Sequence, residues 1–162
     1  EIYAAHSEDG RTSAGISEFN VKLDPANAGA LLRRKLDYSY PNQTAEVFVA
    51  DVSNGKEPAA ADWKRVGTWY LAGSNTFVTS RPKGGLGPRV CQARTSNRRY
   101  RDVEFLIPAN LTRNARMLRI KIKPLASQQQ LYPGYPFPKK SLWSELRYDI
   151  YSYLNPDFKL NH

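Results

Sequence analysis

The chain has 162 residues, 41% of them hydrophobic, with ten Tyr, six Phe and three Trp; the length suits one domain, and the composition is too apolar for a disordered chain. It carries 24 Lys and Arg against 15 Asp and Glu, a formal charge of +9. No apolar run approaches the ~20 residues of a membrane-spanning helix, and Glu1-Ile2-Tyr3 opens no basic and apolar leader.

Period-two alternation dominates the chain, which points to strands. An early strand is expected over Gly15 to Leu23, and Asn27 to Leu32 suits a short turn. From Leu32 to Tyr40, the residues Leu32, Arg34, Leu36, Tyr38 and Tyr40 share one face, and Pro41-Asn42 supplies a turn. Thr44 to Asp51 is rich in strand formers. Pro58 and the Asn54-Gly55 pair make Asn54 to Asp62 a loop. Trp63 to Leu71 and Asn75 to Ser80 read as strands, and Arg81 to Pro88 as a surface loop.

Tyr100 to Ile107 places Val103, Phe105 and Ile107 inward and Asp102 and Glu104 outward. Pro108 to Arg113 suits a short turn, and the following strand puts Leu118, Ile120 and Ile122 on one face. A loop dense in Gln and Pro, Gln128 to Lys140, precedes a strand from Leu142 to Tyr153. There Leu146, Tyr148 and Ile150 are expected inward, and Trp143, Glu145, Arg147, Asp149 and Tyr151 outward. About eight short strands with turn signals between them predict an all-β fold, a single antiparallel β-sandwich over residues 1–162.

Cys91 is alone, so no internal disulfide forms, and it reads as a small buried hydrophobe. His6 and His162 have no ligand partners at useful spacing, so neither a metal nor a cofactor is expected. Residues 81–123 hold twelve basic residues and only Asp102 and Glu104 as acids. Such a window attracts polyanions, but no nucleic-acid motif accompanies it, which favours acidic glycan or plain solubility over nucleic acid.

Four segments are more specific: GALLRRKLDYSYPNQTAEVFV (Gly29 to Val49), VGTWYLAGSNT (Val66 to Thr76), RDVEFLIPANLT (Arg101 to Thr112) and LWSELRYDIYSY (Leu142 to Tyr153). In this order they resemble the jelly-roll module of glycoside hydrolase family 172. That family includes fructofuranosidases and arabinofuranosidases built from paired jelly rolls and assembled as oligomers. The resemblance implies a jelly-roll sandwich, a carbohydrate context and self-association or an adjoining catalytic domain. The family's acidic Gly-Thr-Glu-Asp segment is missing, since the only Gly-Thr pair, Gly67-Thr68, precedes Trp69. No catalytic residue is carried over.

Glycoside hydrolysis needs two carboxylates flanking one bond. The pairs Asp102 with Glu104 and Glu145 with Asp149 are spaced to share strand faces, but each lies beside an arginine, Arg101 or Arg147. A neighbouring guanidinium holds a carboxylate ionised, which suits an ion pair better than a general acid. Sugar binding asks instead for an aromatic face beside planar hydrogen-bonding groups. Trp143, Glu145, Arg147 and Asp149 offer these on one strand, and Trp69 with Asn75 offers a second candidate site. The expected function is a carbohydrate-binding or accessory module for an oligo- or polysaccharide. The alternative is a glycoside hydrolase, or a subunit of one, whose active site is shared between jelly rolls. The sequons at Asn42 and Asn110 agree with an extracellular, secreted setting.

Overall fold

Alternating burial organises the strands of the computed structural model, which describes residues 9–13, 15–82, 89–95, 99–126 and 143–154. In chain order the strands are β1 (Arg11–Ser13), β2 (Ser17–Lys22), β3 (Asn27–Asp37), β4 (Gln43–Asp51), β5 (Lys64–Leu71), β6 (Thr76–Pro82), β7 (Arg89–Thr95), β8 (Tyr100–Pro108), β9 (Met117–Leu125), β10 (Trp143–Glu145) and β11 (Arg147–Leu154). One helical turn, α1 (Ala109–Thr112), and a 3-10 turn at Ala60–Asp62 are the only helical pieces among the described residues.

The fold is all-β. One sheet runs β11-β3-β8 and the other β2-β9-β4-β5, and every pairing is antiparallel. Two ribbons, β1-β10 and β6-β7, complete the strands. The inner faces of the two sheets close over one core. From the first sheet come Ala30, Leu32 and Ile107, and from the second Val47, Val49, Leu118, Ile120 and Ile122, all buried. Phe19, Val103, Phe105, Tyr148 and Ile150 pack against its margin. This is the sandwich that alternation predicts, with Val103, Phe105 and Ile107 inward as expected.

Two backbone positions explain local choices. Gly29 has φ +120°, and a Cβ there would sit 3.2 Å from the Ile107 carbonyl oxygen, so only glycine lets β3 lie this close to β8. Asn42, at φ 48°, turns the chain between β3 and β4, and its Oδ1 accepts the Gly73 N–H at 2.7 Å. The side chain of that sequon is buried and engaged.

Several expectations are corrected. Asn27 to Leu32 is no turn but the start of β3, because Leu32 and its neighbours already pair with β8 and β11. Arg81 belongs to β6, and Arg89–Thr95 forms a strand of its own, β7, whose register with β6 the Gly- and Pro-rich stretch between them concealed. Leu142 to Tyr153 is not one strand. Its chain breaks at Leu146, where the partner changes from β1 to β3, and the Leu146 N–H bonds the Lys35 carbonyl. The expected loops at 83–88 and 128–140, together with His6 and His162, lie outside the described residues, as does the side chain of Cys91.

Ile120 is fully buried at the centre of this core. Ile120→Ala is expected to cost about 2–5 kcal/mol, measured as a lowered midpoint in urea unfolding with the slope unchanged.

Candidate functional site

The break at Leu146 decides where the chemistry goes. With β10 paired to β1, Trp143, Ser144 and Glu145 are all buried. Trp143 and Glu145 therefore do not point outward with Arg147 and Asp149, as uninterrupted alternation predicted. The partner change resets which residues face the core, so Glu145 and Asp149 share no face.

Trp143 is fully buried and closes one side of an interior cluster. The Arg34 guanidinium lies over its ring, 3.3 Å from the centroid, and 5.1 Å from that of Trp69. Arg34 Nη1 donates to Gln43 Oε1 at 3.3 Å and to the Ser144 carbonyl at 3.2 Å. Among the described residues its Nε and Nη2 have no hydrogen-bond partner. Burial pulls the guanidinium down to about 9, which still leaves it charged at neutral pH. Trp69 is buried too, stacked on Phe105 at 5.2 Å and edge-on to Trp143 at 5.7 Å. Neither indole offers a free face for a sugar.

Glu145, buried as well, joins this cluster to the exposed Arg11. Its Oε1 accepts from Arg11 Nε at 2.7 Å and Ser17 Oγ at 2.6 Å, and its Oε2 accepts from the Tyr148 hydroxyl at 2.8 Å. The Trp143 Nε1–H donates to that same hydroxyl at 2.9 Å. The Tyr148 ring stacks on Phe19 at 4.6 Å. Burial, and next the Glu145 charge, push the Tyr148 phenol well above its ordinary range. These groups line an open groove of about 610 Å³ between the edges of β2 and β11, with Arg147 and Glu18 also in its wall.

A smaller cleft of about 200 Å³ lies on the other side of the β1-β10 ribbon, lined by Asp37, Tyr40, Arg99, Tyr100 and Ser144 among others. Burial alone would raise the Asp37 carboxyl. Hydrogen bonds from Arg99 and Ser39 outweigh this and hold it below the ordinary carboxylate range. A third groove, of about 460 Å³, runs along the opposite edges, β5 and β8, with Trp69 and Tyr70 in its wall.

The remaining expected residues fall elsewhere. Arg147 and Asp149 pair with each other at 2.9 Å on the outer face of β11, as their spacing suggested. Asp102 and Glu104 lie exposed on the outer face of β8, where the partner of Glu104 is Arg33 at 2.6 Å rather than Arg101. Asn75 follows the Gly73 turn, and its N–H bonds the Tyr38 carbonyl; it lines neither the groove beside Glu145 nor the one beside Trp69. Sequence reasoning missed Arg11, Ser17 and Phe19, which carry no motif and reach Glu145 only through the sheet register.

The basic window does not form one stripe among the described residues. Arg119 and Lys121 pair with Glu18, Arg119 also with Glu57, and Lys123 with Glu46, on the outer face of β9. Arg99 pairs with Asp37 beside the other sheet. Lys83 and Arg98 lie outside the described residues. No three His, Cys, Asp or Glu side chains among the described residues are placed to hold a metal ion. No described helix is long and apolar enough to cross a membrane. No protein-family model matches the chain, and neither does any curated protein or solved structure.

Two outcomes follow from the buried cluster. Trp143→Ala removes a buried indole together with the face that Arg34 lies on, and is expected to destabilise by about 3–5 kcal/mol, seen by chemical unfolding. Because the folded Tyr148 phenol stays protonated where an unfolded one ionises, its contribution is fully present below pH 10.0 and is lost as pH rises above it. Unfolding free energy measured against pH should fall on that alkaline side, and less steeply in Tyr148→Phe.

Proposed function

We propose that this chain is a carbohydrate-binding β-sandwich module, with its ligand seated in the groove between β2 and β11. One observation carries the reading: the stacked Phe19 and Tyr148 rings and the exposed guanidinium groups of Arg11 and Arg147 line one groove, with the buried Glu145 carboxylate holding Arg11 from behind. Sugars present alternating apolar C–H faces and hydroxyl edges. An aromatic wall covers the first, while guanidinium groups meet the second through charge-assisted hydrogen bonds. Pockets of this kind combine an apolar lining with a few fixed polar groups. The resemblance to the jelly-roll module of glycoside hydrolase family 172 supports the same ligand class, and the jelly-roll connectivity it implies belongs to this proposal.

The test is a glycan array followed by calorimetry on the best ligand. Arg147→Ala is expected to weaken binding by about tenfold or more, with its melting temperature within a few degrees of the parent. Absence of binding to every glycan, or unchanged affinity in this variant, would overturn the reading. Release of free sugar from the ligand would replace it with hydrolysis.

A further inference from the structure

We infer that the groove along β5 and β8 is a strand-acceptor site, which takes an extended peptide of alternating apolar and basic residues as an added strand beside β8. The two sheets of the sandwich are unequal: three strands, β11-β3-β8, face four, β2-β9-β4-β5. Among the described residues β8 pairs only with β3, and β5 only with β4. The outer edge of each is therefore a template of main-chain N–H and C=O groups for a further strand. The seam between them is also under-covered. Inward apolar residues of the central strands, such as Leu32, Val47 and Ile120, are fully buried. Leu71 of β5 and Val103 and Phe105 of β8 are only half-buried. These three line the groove together with the buried Trp69, whose ring spans the two sheets by stacking on Phe105 at 5.2 Å.

Charge selects the occupant. Residues 101–105 of β8 form one wall, about 17 Å of strand, which matches five residues of a partner. Successive side chains of an added strand point to opposite faces. One set falls over Leu71, Val103 and Phe105 and has to be apolar. The other stands on the outer face beside Asp102 and Glu104, both exposed. Both bonds from Arg33 go to Glu104 Oε1, which leaves Oε2 as the oxygen for a second cation among the described residues. Arg101, the remaining charge of the wall, lies over the Tyr38 ring at 4.9 Å. The rim is thus an acidic exception on a chain of net charge +9. Opposite charges at neighbouring positions across a sheet attract and like charges repel, so a basic strand fits here. The same acids act against a second copy's β8, which would set Asp102 and Glu104 beside their counterparts. Main-chain bonds supply affinity in such a complex, and the alternating side chains supply specificity. The site is separate from the groove between β2 and β11, with which it shares no lining residue.

The experiment is fluorescence polarisation with a labelled, end-blocked Val-Lys-Val-Lys-Val-Lys peptide, and amide NMR shifts of the isotope-labelled protein to locate it. Two controls separate the contributions: a Val-Glu peptide of the same length, and the Val-Lys peptide N-methylated throughout, which can donate no ladder bond. The Val-Lys peptide is expected to bind and to move the amides of residues 68–71 and 101–105. Each control should bind about tenfold more weakly or worse. The double variant Asp102→Asn with Glu104→Gln should weaken the Val-Lys peptide to a similar degree, with its melting temperature within a few degrees of the parent because both side chains are exposed. No binding, shifts confined to other edges, or equal affinity for either control overturns the inference. Glycans that move the amides of residues 68–71 and 101–105, where the peptide does not, assign the groove to carbohydrate and overturn it as well.

Discussion

A positive charge sits in the middle of the apolar core. Arg34 points inward from β3 because alternation requires it, yet among the described residues its side chain bonds only to Gln43 and the Ser144 carbonyl. Burying an unpaired ion is costly, and the usual compensation is a carboxylate partner. Here the compensation is the π-face of Trp143, with Trp69 close by. Desolvated cation–π contacts of this type contribute about 2 kcal/mol, too little to make the charge a source of stability. Its effect is to specify arrangement. The guanidinium lies where β3, β4, β5 and β10 meet, and its ring and carbonyl partners come from the last three of these. Glu145, two residues beyond Trp143, is buried in the same short strand.

The sandwich was legible in the sequence because its signal is local and redundant. Leu118, Ile120 and Ile122 alternate with polar residues, and Val103, Phe105 and Ile107 do the same, so each strand announces its own inner face. The break at Leu146 was not legible, because nothing in the residues from Trp143 to Tyr151 interrupts the alternation. A strand that changes partners mid-way changes which residues face inward without changing its pattern, and the partner is fixed by register elsewhere in the chain. The same limitation hid Arg11, Ser17 and Phe19. Glu145 meets Arg11 across the β1-β10 ribbon and Ser17 from β2, more than a hundred residues away in sequence.

Charge was misleading for a related reason. A count over residues 81–123 finds a surplus of cations, while pairing distributes them. Glu18, Glu46 and Glu57 come from strands and loops outside that window, and they meet Arg119, Lys121 and Lys123 on the outer face of the four-stranded sheet. Lys121 also lies over the Trp63 ring at 3.7 Å. Exposed pairs like these add little to stability, but they give Arg119, Lys121 and Lys123 acidic neighbours that a count along the sequence does not show. Near the groove between β2 and β11 the charge is of both signs, with Arg11 paired to Glu145 and Arg147 to Asp149.

Hydrogen bonds commit most of the Glu145 carboxylate to the protein itself. A carboxylate offers about four acceptor positions, and three at Glu145 are already taken, two on Oε1 and one on Oε2. Tyr148 is also committed, donating to Glu145 and accepting from Trp143. The Glu145 side chain itself is only 4% exposed, so the carboxylate acts first as a joint of the fold: it ties Arg11 of β1, Ser17 of β2 and Tyr148 of β11 to β10 at the point where the chain changes sheets. Removing it would leave three donors without their acceptor at once, and a buried group deprived of its partner costs more than the bond contributed.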